Sequence, residues 1–114
     1  MPPALVEIDR ESLRRRLEEG SELVLVDALA PLSYAARHLP GAINIPPARV
    51  DELAGSRIPD LNTEIVVYCA DAGCDASVDV ARRLLELGYR NVRHYSGGKR
   101  DWTDAGLRLE GGRV

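Results

Sequence analysis

Ile65-Val66-Val67-Tyr68-Cys69 carries no charged residue along its length. A strand with one wet face alternates apolar and polar residues. An unbroken apolar run is covered on both faces, as an inner parallel strand is. Leu23-Val24-Leu25-Val26, leading into Asp27, repeats the pattern. Parallel neighbours cannot be joined by a tight hairpin, and the segments between these runs carry helix signals. The chain therefore reads as α/β: βαβ units, a mostly parallel sheet and helices on both faces.

The remaining elements fit that frame. Val6-Glu7-Ile8 is a short strand candidate with Val6 and Ile8 on one face. Asp9 caps a helix over about residues 10–19, where Leu13 and Leu17 lie four apart, and Gly20 ends it. Pro31 opens a short helix, His38 to Gly41 form a turn, and Ala42 to Ile45 a short strand. Pro47 opens a further helix carrying Val50 and Leu53, with Gly55 after its end and a loop over 56–63. A helix from about Ser77 to Leu87 is expected to bury Val78, Ala81, Leu84 and Leu85. Asn91 to Tyr95 is the last strand, and Gly98 to Ala105 a last helix stopped by Gly106.

A chain of 114 residues holds one domain, with its core over about 4–109 and a fraying tail at 110–114. Phe is absent and aromatics total 4%, so the core falls to Leu, Val, Ile and Ala. Net charge is −3 with no basic stripe, which argues against a nucleic-acid partner. No apolar run approaches the ~20 residues that a membrane span needs. Met1-Pro2-Pro3, followed by Glu7 and Asp9, lacks the pattern of a secretory signal, so a cytoplasmic protein is expected. Two cysteines are too few for a disulfide scaffold, and a reducing compartment keeps them as thiols.

Cys69 ends the strongest strand and precedes a loop into the strongest helix. Ligands of open α/β sheets bind beyond the carboxyl ends of strands, where loop amides and a helix N-terminus present positive charge. A thiol of pKa ~8.5 is only about 3% thiolate at pH 7; a drop of about two units makes most of it nucleophilic. Ala70, Ala72, Gly73 and Ala76 leave the loop backbone open to close approach. Asp71 and Asp75 oppose that scheme by their charge, unless Asp75 caps the next helix. The alternative is that Cys69 is a small buried hydrophobe closing a strand. On position alone the two readings stand level.

Four ordered motifs carry a resemblance. They are Leu25-Val26-Asp27; Tyr34 with His38-Leu39-Pro40-Gly41-Ala42-Ile43-Asn44-Ile45-Pro46; Val66-Val67-Tyr68-Cys69; and Ser96-Gly97-Gly98 with Trp102 and Ala105-Gly106-Leu107. Together they make the chain resemble the single-domain rhodaneses over nearly its whole length. The resemblance implies a rhodanese-like, five-stranded parallel sheet flanked by helices. It implies that Cys69 takes a sulfane sulfur from a donor such as thiosulfate, a polysulfide or a persulfide. The loop Ala70, Asp71, Ala72, Gly73, Cys74, Asp75, Ala76 and Ser77 would cradle the resulting persulfide, and a thiol, an acceptor protein or cyanide would remove the sulfur. No metal or organic cofactor is implied.

The chain also departs from that family. Leu29, Ser33 and Arg37 stand where the family commonly has Arg, Glu and Gly, so an internal ion pair is expected to be missing. The loop is two residues longer than the common form and holds no Arg to attract an anion. Cys74 lies five positions after Cys69. It could attack a Cys69 persulfide or protect Cys69 from over-oxidation; the preferred reading is a small loop residue packed against the helix. Asp27 could line the mouth but is expected to bond loop amides instead. Lys99 and Arg100 are the nearest cations for an anionic donor, or else plain surface charges. His38 is expected to fix its turn, His94 to lie near solvent, and Trp102 to anchor the last helix. A non-catalytic interaction module and a thiol redox sensor using Cys69 and Cys74 remain the alternative functions.

Overall fold

The computed structural model describes residues 5–111. Its strands are β1 (Val6–Glu7), β2 (Leu23–Asp27), β3 (Ile43–Asn44), β4 (Glu64–Tyr68) and β5 (Asn91–Tyr95). Its helices are α1 (Arg10–Glu18), α2 (Pro31–Ala36), α3 (Val50–Arg57), α4 (Ala76–Glu86) and α5 (Gly98–Asp104). The strands form one sheet in the order β1-β5-β4-β2-β3, every pairing parallel. Central β4 pairs along its length with both neighbours, ending with Tyr68 opposite Asp27 and Tyr95.

The unbroken apolar run of β4 has the expected cause. Ile65 and Val67 pack with Val50 and Ala54 of α3 and with Val80, Ala81 and Leu84 of α4. Val66 and Tyr68 pack on the other face with Leu13 of α1 and Trp102 of α5. Chain leaving β2 enters α2 on this second face, whereas chain leaving β4 enters α4 on the first. The carboxyl ends of β2 and β4 are therefore neighbours whose loops part in opposite directions, which opens a crevice there.

Asp9 caps α1 as expected: its Oδ1 accepts the Ser12 N–H at 2.7 Å. Trp102 is 4% exposed, its Nε1 donates to the Arg108 carbonyl at 2.9 Å, and its ring meets Tyr95 edge-on. His38 fixes its turn through Nδ1, 2.7 Å from the Tyr34 carbonyl oxygen.

Several local expectations are corrected. Val6 is 60% exposed because β1 is an edge strand, so only Ile8 of that pair is buried. Gly55 lies inside α3, which runs on to Arg57; Gly lowers helix propensity without forbidding it. Val80, not Val78, is fully buried on α4, and Leu85 is 37% exposed, so the buried stripe is rotated from the expected one. Glu110 does not fray: its N–H and C=O both bond His38, at 2.8 and 2.9 Å, and its carboxylate accepts the Gly41 N–H. The rest of the expected fraying tail, 112–114, lies outside the described residues, as do residues 1–4. No helix among the described residues is long and apolar enough to cross a membrane.

Candidate active site

Cys69 follows the last residue of β4 at the β2–β4 crevice and is 1% exposed. It is bonded to Cys74 in a disulfide, the Cα atoms 6.2 Å apart. This corrects the preferred reading of Cys74 as a thiol packed against the helix. Asp71 makes the pairing possible. Its carbonyl accepts the Cys74 N–H at 3.2 Å and its Oδ1 accepts the Gly73 N–H at 3.0 Å. That turn folds residues 71–74 back over Cys69. It also engages two of the loop amides expected to face a bound anion. Asp75 precedes α4 but makes no side-chain cap bond, so the capping alternative is not the one taken.

The loop is held from the other side by α5. Lys99 N–H donates to the Cys69 carbonyl at 3.1 Å, and Arg100 N–H to the Ala70 carbonyl at 2.8 Å. Gly98 immediately precedes them at φ +63°, and a Cβ there would lie 2.5 Å from the Cys69 oxygen. Gly98 thus has a physical reason, because backbone must touch backbone there; at Gly97 a Cβ would instead meet the Asp101 side chain at 2.5 Å.

Beneath the crevice lies a buried polar network. Asp27 is fully buried; its Oδ1 accepts the Leu29 N–H at 2.8 Å and its Oδ2 the Tyr68 hydroxyl at 2.9 Å. The Tyr68 oxygen in turn accepts the Leu39 N–H at 2.9 Å. Burial first, then the Asp27 charge, drives the Tyr68 hydroxyl far above its ordinary pKa, so it remains a donor. Asp27 therefore orders loops rather than lining the mouth. Lys99 Nζ donates to the Ser33 carbonyl at 3.0 Å and stands 3.7 Å from Asp27 Oδ2. The internal ion pair that Leu29 seemed to forfeit is supplied by Lys99 from α5. Arg100 is exposed. With Arg37 and Lys99 it lines an open groove that reaches Ala70 and Asp71. The cations absent from the loop stand around it.

His94 is 7% exposed, not near solvent. Its Nε2 lies 2.8 Å from the Ser77 hydroxyl on α4, and its Nδ1 lies 2.8 Å from Glu7 on β1. Where Glu7 accepts from Nδ1–H, Nε2 is left to accept a hydrogen bond from the Ser77 hydroxyl. Ser77 is thereby held at 1% exposure beside the loop. Sequence reasoning missed this line; the signal was that His94 shares its strand face with buried Val92. Ala70 to Ser77 follow Cys69 through the loop into the first turn of α4, Lys99 and Arg100 reach the loop through their backbone amides, and both line the groove.

Comparisons with known proteins agree with this fold. Residues 9–105 match the family model of the rhodanese-like domain. An HTH-type transcriptional regulator of Mycobacterium tuberculosis is 40% identical over 109 residues, covering 92% of this chain and 45% of that protein. The chain thus spans less than half the length of that relative. A sulfurtransferase of Allochromatium vinosum is 31% identical over 105 residues, covering 89% of this chain and 91% of that one. The crystal structure of the Alr3790 protein from Anabaena sp. superposes with TM-score 0.83 at 28% identity, covering 94% of each chain. With the matching fold, the crevice position of Cys69 and the family model across most of its length, this chain belongs to the rhodanese-like domain family.

Proposed function

We propose that the reduced domain is a sulfurtransferase working through a persulfide on Cys69. The observation that carries this is the placement of Cys69 directly after β4, at the crevice, in a loop that turns into α4. The Cys69 thiolate attacks the outer sulfur of a donor such as thiosulfate. The new bond joins that sulfur to Cys69 Sγ, the donor's S–S bond breaks, and sulfite leaves with the electron pair. A thiol, a thiol on an acceptor protein or cyanide then attacks the outer sulfur and carries it away. The Ala70–Ser77 backbone is the cradle for the persulfide anion, and Arg37, Lys99 and Arg100 draw an anionic donor to the groove. The relative from Allochromatium vinosum bears the name sulfurtransferase, which supports the class of reaction.

Reduced wild type, Cys69→Ala and Cys74→Ser are exposed to thiosulfate, polysulfide and a persulfide donor and weighed intact. One added sulfur on Cys74→Ser, removed by cyanide and absent from Cys69→Ala, is the expected result. No adduct on either Cys69-containing protein with any donor overturns the proposal. The disulfide itself favours a second reading, a thiol redox sensor. That reading requires the bond to form under mild peroxide while no sulfur is ever taken up.

A further inference from the structure

The loop holds a second sulfur that simple transfer does not use. Cys74 is bonded to Cys69 while every other anchor of the loop is in place: the Asp71 turn, and the Lys99 and Arg100 amides on the Cys69 and Ala70 carbonyls. A structural staple here would add little, since α5 already holds the Cys69–Ala70 end and the Asp71 turn already folds residues 71–74. It would also consume the one cysteine that stands at the crevice. The pairing instead shows that Cys74 reaches Cys69 Sγ within the folded loop.

We propose that Cys74 is a resolving thiol that turns the persulfide into hydrosulfide, giving the domain a sulfane-sulfur reductase activity. This rests on the Cys69 persulfide of the preceding section. The Cys74 thiolate attacks Cys69 Sγ, the inner sulfur. The Cys69–Cys74 bond forms, the bond to the outer sulfur breaks, and that sulfur leaves as hydrosulfide with the electron pair and the persulfide proton. The outer sulfur is reduced to sulfide while the two cysteine sulfurs are oxidised to the disulfide. An external dithiol protein or small dithiol then reduces the disulfide and becomes a disulfide itself. Overall, one sulfane sulfur and one dithiol yield one sulfide and one disulfide.

The competition with transfer is set by proximity. A thiol on so short a tether faces its target at an effective concentration on the order of millimolar or more. A free acceptor must match that concentration to intercept the persulfide. Gly73 lies in the Asp71 turn that brings Cys74 back to Cys69.

The test is a single turnover without air and without free thiol. Fully reduced wild type, Cys74→Ser, Cys74→Ala and Cys69→Ser are mixed with thiosulfate or benzenethiosulfonate, whose co-products are sulfite and sulfinate rather than sulfide. Wild type is expected to release one co-product and one hydrosulfide per chain and to end lighter by two hydrogens. Both Cys74 variants should release the co-product, retain one extra sulfur and lose the hydrosulfide burst to background. Wild type that keeps its added sulfur, or Cys74 variants that still release hydrosulfide, overturn the assignment of Cys74 and leave the Cys69 persulfide standing. If neither wild type nor the Cys74 variants release co-product from either donor, both readings fall together.

Discussion

Replacing Gly98 with Ala separates two costs that sequence inspection would merge. Gly98 has φ +63°, and an L-residue in that region costs about 1–2 kcal/mol. Its new Cβ would also lie 2.5 Å from the Cys69 oxygen and 2.9 Å from the Ala70 carbonyl carbon, both of them backbone atoms. Neither can swing aside as a side-chain tip can, so α5 must withdraw from the loop. Withdrawal breaks the Lys99 and Arg100 amide bonds to Cys69 and Ala70, at about 0.5–1.5 kcal/mol each. The total is about 2–5 kcal/mol. Gly20 is the control: its φ is +73°, but nothing lies within 4 Å of its Cβ position, so Gly20→Ala costs only the backbone term of about 1–2 kcal/mol. Urea unfolding of the two variants, each reduced, measures the difference, and the alkylation rate of Cys69 in a Cys74→Ser background reports the loop. Gly98→Ala is expected to be the less stable by about 1–3 kcal/mol and to change that rate, whereas Gly20→Ala leaves it as it was. Equal stability losses and an unchanged rate would refute the claim that α5 positions the nucleophile by direct backbone contact.

Three further outcomes follow from the same geometry. The folded chain holds the Tyr68 proton far above the ordinary value of 10.0, whereas the unfolded chain releases it there. Its stabilisation is therefore complete below about pH 10 and declines above it by about 1.4 kcal/mol per pH unit. Tyr68→Phe should remove that part of the alkaline slope in pH-dependent unfolding, and an unaltered slope contradicts the assignment. The Ser12 amide holds the Asp9 carboxyl below its ordinary value of 3.8, so its contribution is present above about that pH and is lost as pH falls through the lower folded value. Asp9→Asn keeps the acceptor without titrating, and the acid loss of stability should shrink; thermal melts on either side of pH 3.8 decide it. Lys99→Gln with Arg100→Gln should raise KM for thiosulfate about two- to ten-fold while sparing an uncharged trisulfide donor, and added salt should mimic the substitution. Equal effects on both donors would show that the groove cations do not select for charge.

Short-range physics made much of this protein legible in its sequence. The apolar runs at Leu23–Val26 and Ile65–Cys69 specify inner strands, because only strands covered on both faces can be apolar at every position. Asp9 specifies the start of α1, because the orphan amides of a helix are met within a turn. Cys69 is conspicuous because the strand–loop–helix order around it can be read locally. What stayed hidden depends on chain segments far apart. His94 reads as a strand residue near solvent until Ser77 and Glu7, 17 and 87 positions away, close on its two nitrogens. Lys99 reads as a surface charge until α5 carries it over Asp27. Glu110 reads as a tail until His38 pairs with its backbone. Cys74 is near Cys69 in sequence, yet whether the sulfurs meet depends on the Asp71 turn and on α5 pinning the loop from outside. Periodicity and caps act over a few residues and so are written in order along the chain; the partner of a buried polar group is set by which segments the sheet and helices bring together.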